Sequence, residues 1–153
     1  MKQSQNNIKI FTEIESEVPE PIEHRNDLDN SCKVLLIVAG ADGEVSDEEW
    51  NVIFEFIDSV GGSLELVDAL QAFDYKNEQM DQLVENINPT LYRHLLFNAL
   101  RVARADGLSD EERERAKKLA DLTKIDISIA STMEHLLNLE DELRNLKFNL
   151  LTG

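Results

Sequence analysis

The sequence predicts an all-α protein, a compact bundle of about seven helices arranged as two pseudo-symmetric halves. Three observations carry that expectation. A motif occurs twice, as Ala41-Asp42-Gly43-Glu44-Val45-Ser46-Asp47-Glu48-Glu49 and, one residue shorter, as Ala105-Asp106-Gly107-Leu108-Ser109-Asp110-Glu111-Glu112, with the Asp-Gly pairs 64 residues apart. Each copy follows an apolar segment, Val34 to Ala39 or Leu95 to Ala103, and precedes a charged amphipathic one. An internal repeat of this kind fixes the architecture before any other feature does. Elsewhere apolar residues recur at helical spacing, and no strand pair, glycine-rich phosphate loop or low-complexity tract interrupts them.

Residues 1–27 read as an acidic, proline-containing arm. Ile8, Ile10 and Ile14 alternate with polar residues, and Glu13 to Glu23 carries five Glu with Pro19 and Pro21. Such a segment buries too little to fold alone and is expected to be mobile. Residues 28–153 are expected to form one helical domain, which a chain of 153 residues accommodates. Asp29 or Asn30 can cap the first helix. Cys32 and the run Val34, Leu35, Leu36, Ile37, Val38, Ala39 make it apolar on nearly every face, the mark of a central buried helix. Cys32 is then a small buried hydrophobe. Gly43 suits the left-handed position just past that helix.

Ser46-Asp47-Glu48-Glu49 is a capping box, with Val45 and Trp50 as its hydrophobic staple. Ile53, Phe54, Phe56, Ile57 and Val60 continue as a buried stripe to Gly61-Gly62. Ser63 caps a short helix through Phe73, and another is expected from about Asn77 to Ile87. Asn88-Pro89 opens the second central helix, which ends near Gly107. Ser109-Asp110-Glu111-Glu112 reads as a second capping box. The repeat thus spans about 30–60 and 89–123. Asp126 caps a last helix to about Leu150, in which Leu136, Leu139, Leu143, Leu146 and Leu150 recur at intervals of 3, 4, 3 and 4. That seam is expected first to be the inner face against the same domain, and otherwise a surface for a partner helix or self-association.

Charge is unevenly placed. The formal net charge is −16, and residues 1–90 carry 5 basic and 20 acidic side chains against 10 and 11 in residues 91–153. The acidic half disfavours nucleic acid and anionic membranes and favours divalent cations or a basic protein partner. No apolar run is long enough to cross a membrane. The start of the chain lacks the apolar core of a secretory signal, so the expected location is cytoplasmic.

Asp42 and Asp106 lie in the last turn of a helix, where the helix dipole makes a carboxylate unfavourable. A local hydrogen bond to the next helix offsets this, or a cation shared with Glu49 or Glu112. In an EF-hand frame with Gly43 at position 6, Asp42, Ser46 and Glu49 fall at ligand positions, but Val38 and Gly40 occupy the first two, so the loop holds half of a calcium set. The candidate metal ligands are therefore Asp42, Glu49, Asp106 and Glu112, holding Ca²⁺ or Mg²⁺ weakly. Arg104 and Arg113 are placed to neutralise Asp106, which makes Asp42 and Glu49 the preferred pair.

The paired motifs resemble those of the tellurite-resistance TerB family, and are similar to the N-terminal domain of the DjlA-type membrane co-chaperone, over about residues 28–136. The resemblance implies a compact helical fold with pseudo-twofold halves, acidic positions that hold divalent metal, and a role in tellurite and chemical-stress resistance. Asp42 and Glu49 match the first motif in full; Asp106 matches the second, and Glu112 does so after a one-residue gap. His24, His94 and His135 show no ligand or catalytic spacing, and most carboxylates belong to exposed faces. The function expected is non-enzymatic, with a metal-free adaptor docking a basic partner as the alternative.

Overall fold

A computed structural model describes residues 22–76 and 79–152. Among these residues there are seven α-helices and no strand. They are α1 (Ile22–Ala39), α2 (Asp47–Ser59), α3 (Leu64–Gln71), α4 (Met80–Glu85), α5 (Tyr92–Ala103), α6 (Asp110–Leu122) and α7 (Ile127–Thr152), with 3-10 turns at Gly40–Asp42 and Pro89–Leu91. None is long and apolar enough to cross a membrane.

The two apolar segments build the centre. Cys32 and every residue from Val34 to Ala39 are fully buried, as the all-round apolar pattern requires. α1 packs along α5, which contributes Leu95, Leu96, Ala99, Val102 and Ala103 to the same core. α2 and α6 each touch both central helices, while α3 and α4 lean on α1 and α7 lies on α5. This crossed arrangement places the starts of α2 and α6 near one another, although 63 residues separate them in sequence. Arg115 of α6 reinforces it by donating to the Ile37 carbonyl at 2.6 Å, where the end of α1 carries unpaired carbonyls. Burial pushes the Cys32 thiol up to about 12, with the charge of Asp29 adding to the effect, so it remains an unreactive hydrophobe.

Three expectations are corrected. The first helix begins at Ile22, not at a cap on Asp29 or Asn30. Those two residues lie inside it, and Asp29 pairs with Lys33 one turn on at 3.1 Å. Asp27, assigned to the arm, is buried and its carboxylate accepts from the Asn88 backbone N–H at 3.2 Å, tying α1 to the entry of α5. The rest of the expected arm, residues 1–21, lies outside the described residues. α4 is shorter than its apolar spacing suggested, because Gln79 at its start makes no side-chain cap bond and Asn86 already closes its far end.

The third correction concerns α7. Leu136, Leu139, Leu143, Leu146 and Leu150 do not face the domain; their side chains are 46–82% exposed. Leu137 is the residue that enters the core. The helix is rotated by its polar contacts. Arg101 of α5 holds Glu140 at 3.3 Å, and Arg104 reaches the Glu134 carbonyl, Asn138 and Asp141 at 3.1, 2.5 and 3.0 Å. These groups share the side of α7 that carries Leu137, so the leucine seam points outward.

Tyr75 covers Gly40 at the end of α1 so closely that a Cβ there would collide with the ring. Gly40→Ala must displace Tyr75 or the 3-10 turn. The expected cost is about 1–3 kcal/mol, seen in thermal unfolding as a Tm lowered by roughly 3–10 °C for a domain of this size.

Candidate metal centre

The two loops begin and end alike, the second being one residue shorter. Gly43 and Gly107 adopt φ of 105° and 103°, open to glycine and costly for other residues. Ser46 and Ser109 follow as N-caps in the extended region, at φ/ψ of −72°/164° and −76°/161°. Ser46 Oγ accepts from the Glu49 N–H at 3.2 Å, and Ser109 Oγ from the Glu112 N–H at 3.1 Å. Each glutamate thus sits at the third helical position with its side chain folded back toward the cap.

The caps then differ. In the first, the Ser46 backbone N–H donates to Glu49 Oε1 at 2.9 Å, completing a reciprocal box. In the second, Glu112 Oε1 accepts instead from the Ser109 hydroxyl at 3.0 Å, so the expected second box is only half formed. In both, one carboxylate oxygen is occupied by the cap. The other, Oε2, is buried and has no hydrogen-bond partner in either residue.

These two glutamates meet. Glu49 and Glu112 are each 1% exposed, and an oxygen from each lies with one from exposed Asp106 so that all three are within 4.8 Å of one another. Of the four residues expected from sequence, the fold therefore brings three into one cluster, drawn from both loops. Asp42 stands outside it. Its Oδ1 accepts from the Glu44 N–H at 3.2 Å, the turn-type bond in which an Asp serves the backbone two residues on. The predicted neutralisation of Asp106 is not made either: Arg104 is committed to α7, and among the described residues no ion pair joins Arg113 to Asp106. What the sequence reading missed is that Glu49 and Glu112 face each other. The available signal was the cap: counted from Ser46 and Ser109 instead of from the glycines, both are N3 residues and the one-residue gap disappears.

Burial without a counter-charge raises the proton affinity of both carboxyls. For Glu112, removal from water is the main cause, with the Glu49 and Asp106 charges adding to it and the Ser109 bond opposing; its carboxyl is pushed up to about 8. Glu49 is also raised, chiefly by burial, with the Asp106 charge adding to it and the bond from Ser46 opposing. The two carboxyls lie close enough to titrate together as one unit, each raised by burial. The donor set is otherwise suited to a hard divalent cation: three carboxylates, two of them with an unsatisfied oxygen, and no ammonium or guanidinium among the described residues in an ion pair with them.

The crystal structure of a tellurite resistance protein from Nostoc punctiforme superimposes with a TM-score of 0.70, covering 92% of this chain and 94% of that one at 24% identity. The chain has the TerB-like fold. No protein-family model and no curated protein sequence matches it. The expected helical class and the expected likeness are thereby met at the level of architecture. His94 and His135 do not join the cluster. His94 and His135 are exposed on α5 and α7, and the side chain of His24 is outside the described set. Trp50 and Tyr92 are half-buried and pack against the core: Trp50 stacks on Phe54 at 5.3 Å between ring centroids, and the Tyr92 hydroxyl donates to the Val84 carbonyl at 3.1 Å.

The proton on Glu112 has a consequence for stability. Its folded-state affinity is raised from 4.5 to about 8, so the folded chain binds more protons than the unfolded one across that window. Its contribution is then present in full below the unfolded value and lost as pH rises through the folded one. In the presence of a chelator, wild-type Tm is expected to fall between pH 5 and pH 8.5 relative to Glu112→Gln. At the alkaline end the variant is the more stable by roughly 1–3 kcal/mol, since it buries no charge there. Equal pH profiles for the two proteins would count against the buried proton.

Proposed function

We propose that this chain is a non-enzymatic, cytoplasmic module of a tellurite or chemical-stress resistance system, and that it binds a divalent cation through Glu49, Asp106 and Glu112. The supporting observation is the pair of buried, unpartnered Oε2 atoms beside a third carboxylate. One cation satisfies both. It also relieves the repulsion that otherwise keeps a proton in the site. The likeness to the Nostoc protein, whose description is tellurite resistance, points to the same setting.

Affinity is expected to be modest, with Kd on the order of 10⁻⁴–10⁻³ M, because one oxygen of each glutamate is already used by its cap. Binding must displace the Glu112 proton, so affinity increases with pH up to about 8, and protons are released as metal enters. Calorimetric titration with Ca²⁺ and with Mg²⁺ in buffers of different ionisation enthalpy measures both quantities. Glu49→Gln and Glu112→Gln should each lower affinity at least tenfold. Asp106→Asn should lower it by less, since that carboxylate is exposed. Asp42→Asn should leave it unchanged, because the Asn side chain can keep the turn. Binding that depends on Asp42 and ignores Glu112 would sink the assignment.

The alternative, a metal-free adaptor that docks a basic protein, draws on a different set. Asp42, Glu44, Asp47 and Glu48 are exposed around the first loop, in a stretch with no basic residue between Lys33 and Lys76. A role of that kind would lose affinity steeply with salt and be indifferent to Glu112→Gln.

A further inference from the structure

We propose that α7 is the self-association surface of this protein, and that its leucine seam pairs in parallel with the same seam of a second copy. The seam occupies a and d positions of a heptad, with Leu136, Leu143 and Leu150 at a and Leu139 and Leu146 at d. All five are exposed. The domain is attached through Leu137, Asn138 and Asp141 at positions b, c and f and through Glu140 at e, which leaves the g edge of the seam, with exposed Glu142, open.

Charge specifies the occupant. In this register Glu142 is at g and Lys147 at e. In a parallel pair a g residue faces the next e of the partner helix, so the twofold axis generates two Glu142–Lys147 contacts. Glu142 and Lys147 are exposed, and among the described residues neither has an ion-pair partner within the chain. An antiparallel pair would instead set Lys147 against Glu140, which Arg101 already holds. The seam also belongs to the nearly neutral part of the molecule: residues 91–153 carry 10 basic and 11 acidic side chains, so two copies meet there with the least repulsion. An isolated helix with two heptads is marginal in water. Here α5 has already ordered the first part of α7, so association does not have to bear the cost of forming the helix.

Sedimentation equilibrium from micromolar to millimolar protein tests the proposal. The wild-type mass should rise from 17.4 kDa toward twice that value. Leu143→Asp with Leu146→Asp should remain at the single-chain mass with unchanged helicity by circular dichroism. Lys147→Glu should weaken association about tenfold, and Glu142→Lys with Lys147→Glu should restore it. Under oxidising conditions Leu146→Cys should give a disulfide-linked dimer, because d positions face each other in a parallel pair and Cys32 is buried. A wild type that stays single-chain at millimolar concentration overturns self-association. A dimer that survives the double Asp variant overturns the seam. A dimer that Leu146→Cys cannot link, or that Lys147→Glu leaves intact, overturns the parallel pairing.

Discussion

The convergence of two helix caps is the interaction on which the rest of the site depends. A glutamate at the third position of a helix ordinarily folds back onto its cap and remains at the surface, where its charge is solvated. Here α2 and α6 each lie across both central helices, so their first turns meet over the ends of α1 and α5. Glu49 and Glu112 are carried inward with them. Each keeps one oxygen on its own cap, and each is left with one buried oxygen that the cap cannot reach. Local rules of helix initiation and the packing of the core therefore create a polar defect together, though neither does so alone.

The core tolerates that defect because it is held from elsewhere. The fully buried run from Val34 to Ala39 gives α1 apolar contact on all sides, and α5 supplies the complementary face. Buried carboxylates without counter-charges are costly. They persist where the surrounding helices are fixed by contacts that do not depend on them. Arg115 on the Ile37 carbonyl and Asp27 on the Asn88 N–H are two such ties, joining α6 to α1 and α1 to α5.

Much of this was legible in the sequence, and the limits of legibility have identifiable causes. The apolar cores of the central helices, the left-handed glycines and the serine caps follow from patterns within about ten residues and appear where the patterns place them, although α1 starts well before its expected cap. Asp42 illustrates the first limit. An Asp in the last turn of a helix looks unexplained until the Glu44 N–H is seen to satisfy it. Asp106 illustrates the second. The arginines near it in sequence suggested local neutralisation, but Arg104 is drawn to Asp141, 37 residues away. Spacing along one helix or loop cannot reveal which elements cross. That crossing decides that Glu49 meets Glu112, while Asp42, nearer to Glu49 in sequence, stays apart.

The same reasoning explains why the leucines of α7 face outward. An amphipathic stripe normally determines which side of a helix is buried. In α7, Arg101 of α5 and Arg104 just past the end of that helix compete with the stripe, and they win because three of their partners, Asn138, Glu140 and Asp141, lie on the side of Leu137. Turning the seam inward would have to bury Leu139 and Leu143 at the cost of breaking those contacts and leaving Arg101 and Arg104 unpaired against an apolar surface. One leucine in the core together with a satisfied polar network is the lower-energy arrangement for the single chain. It leaves an apolar face with heptad spacing that stands exposed among the described residues.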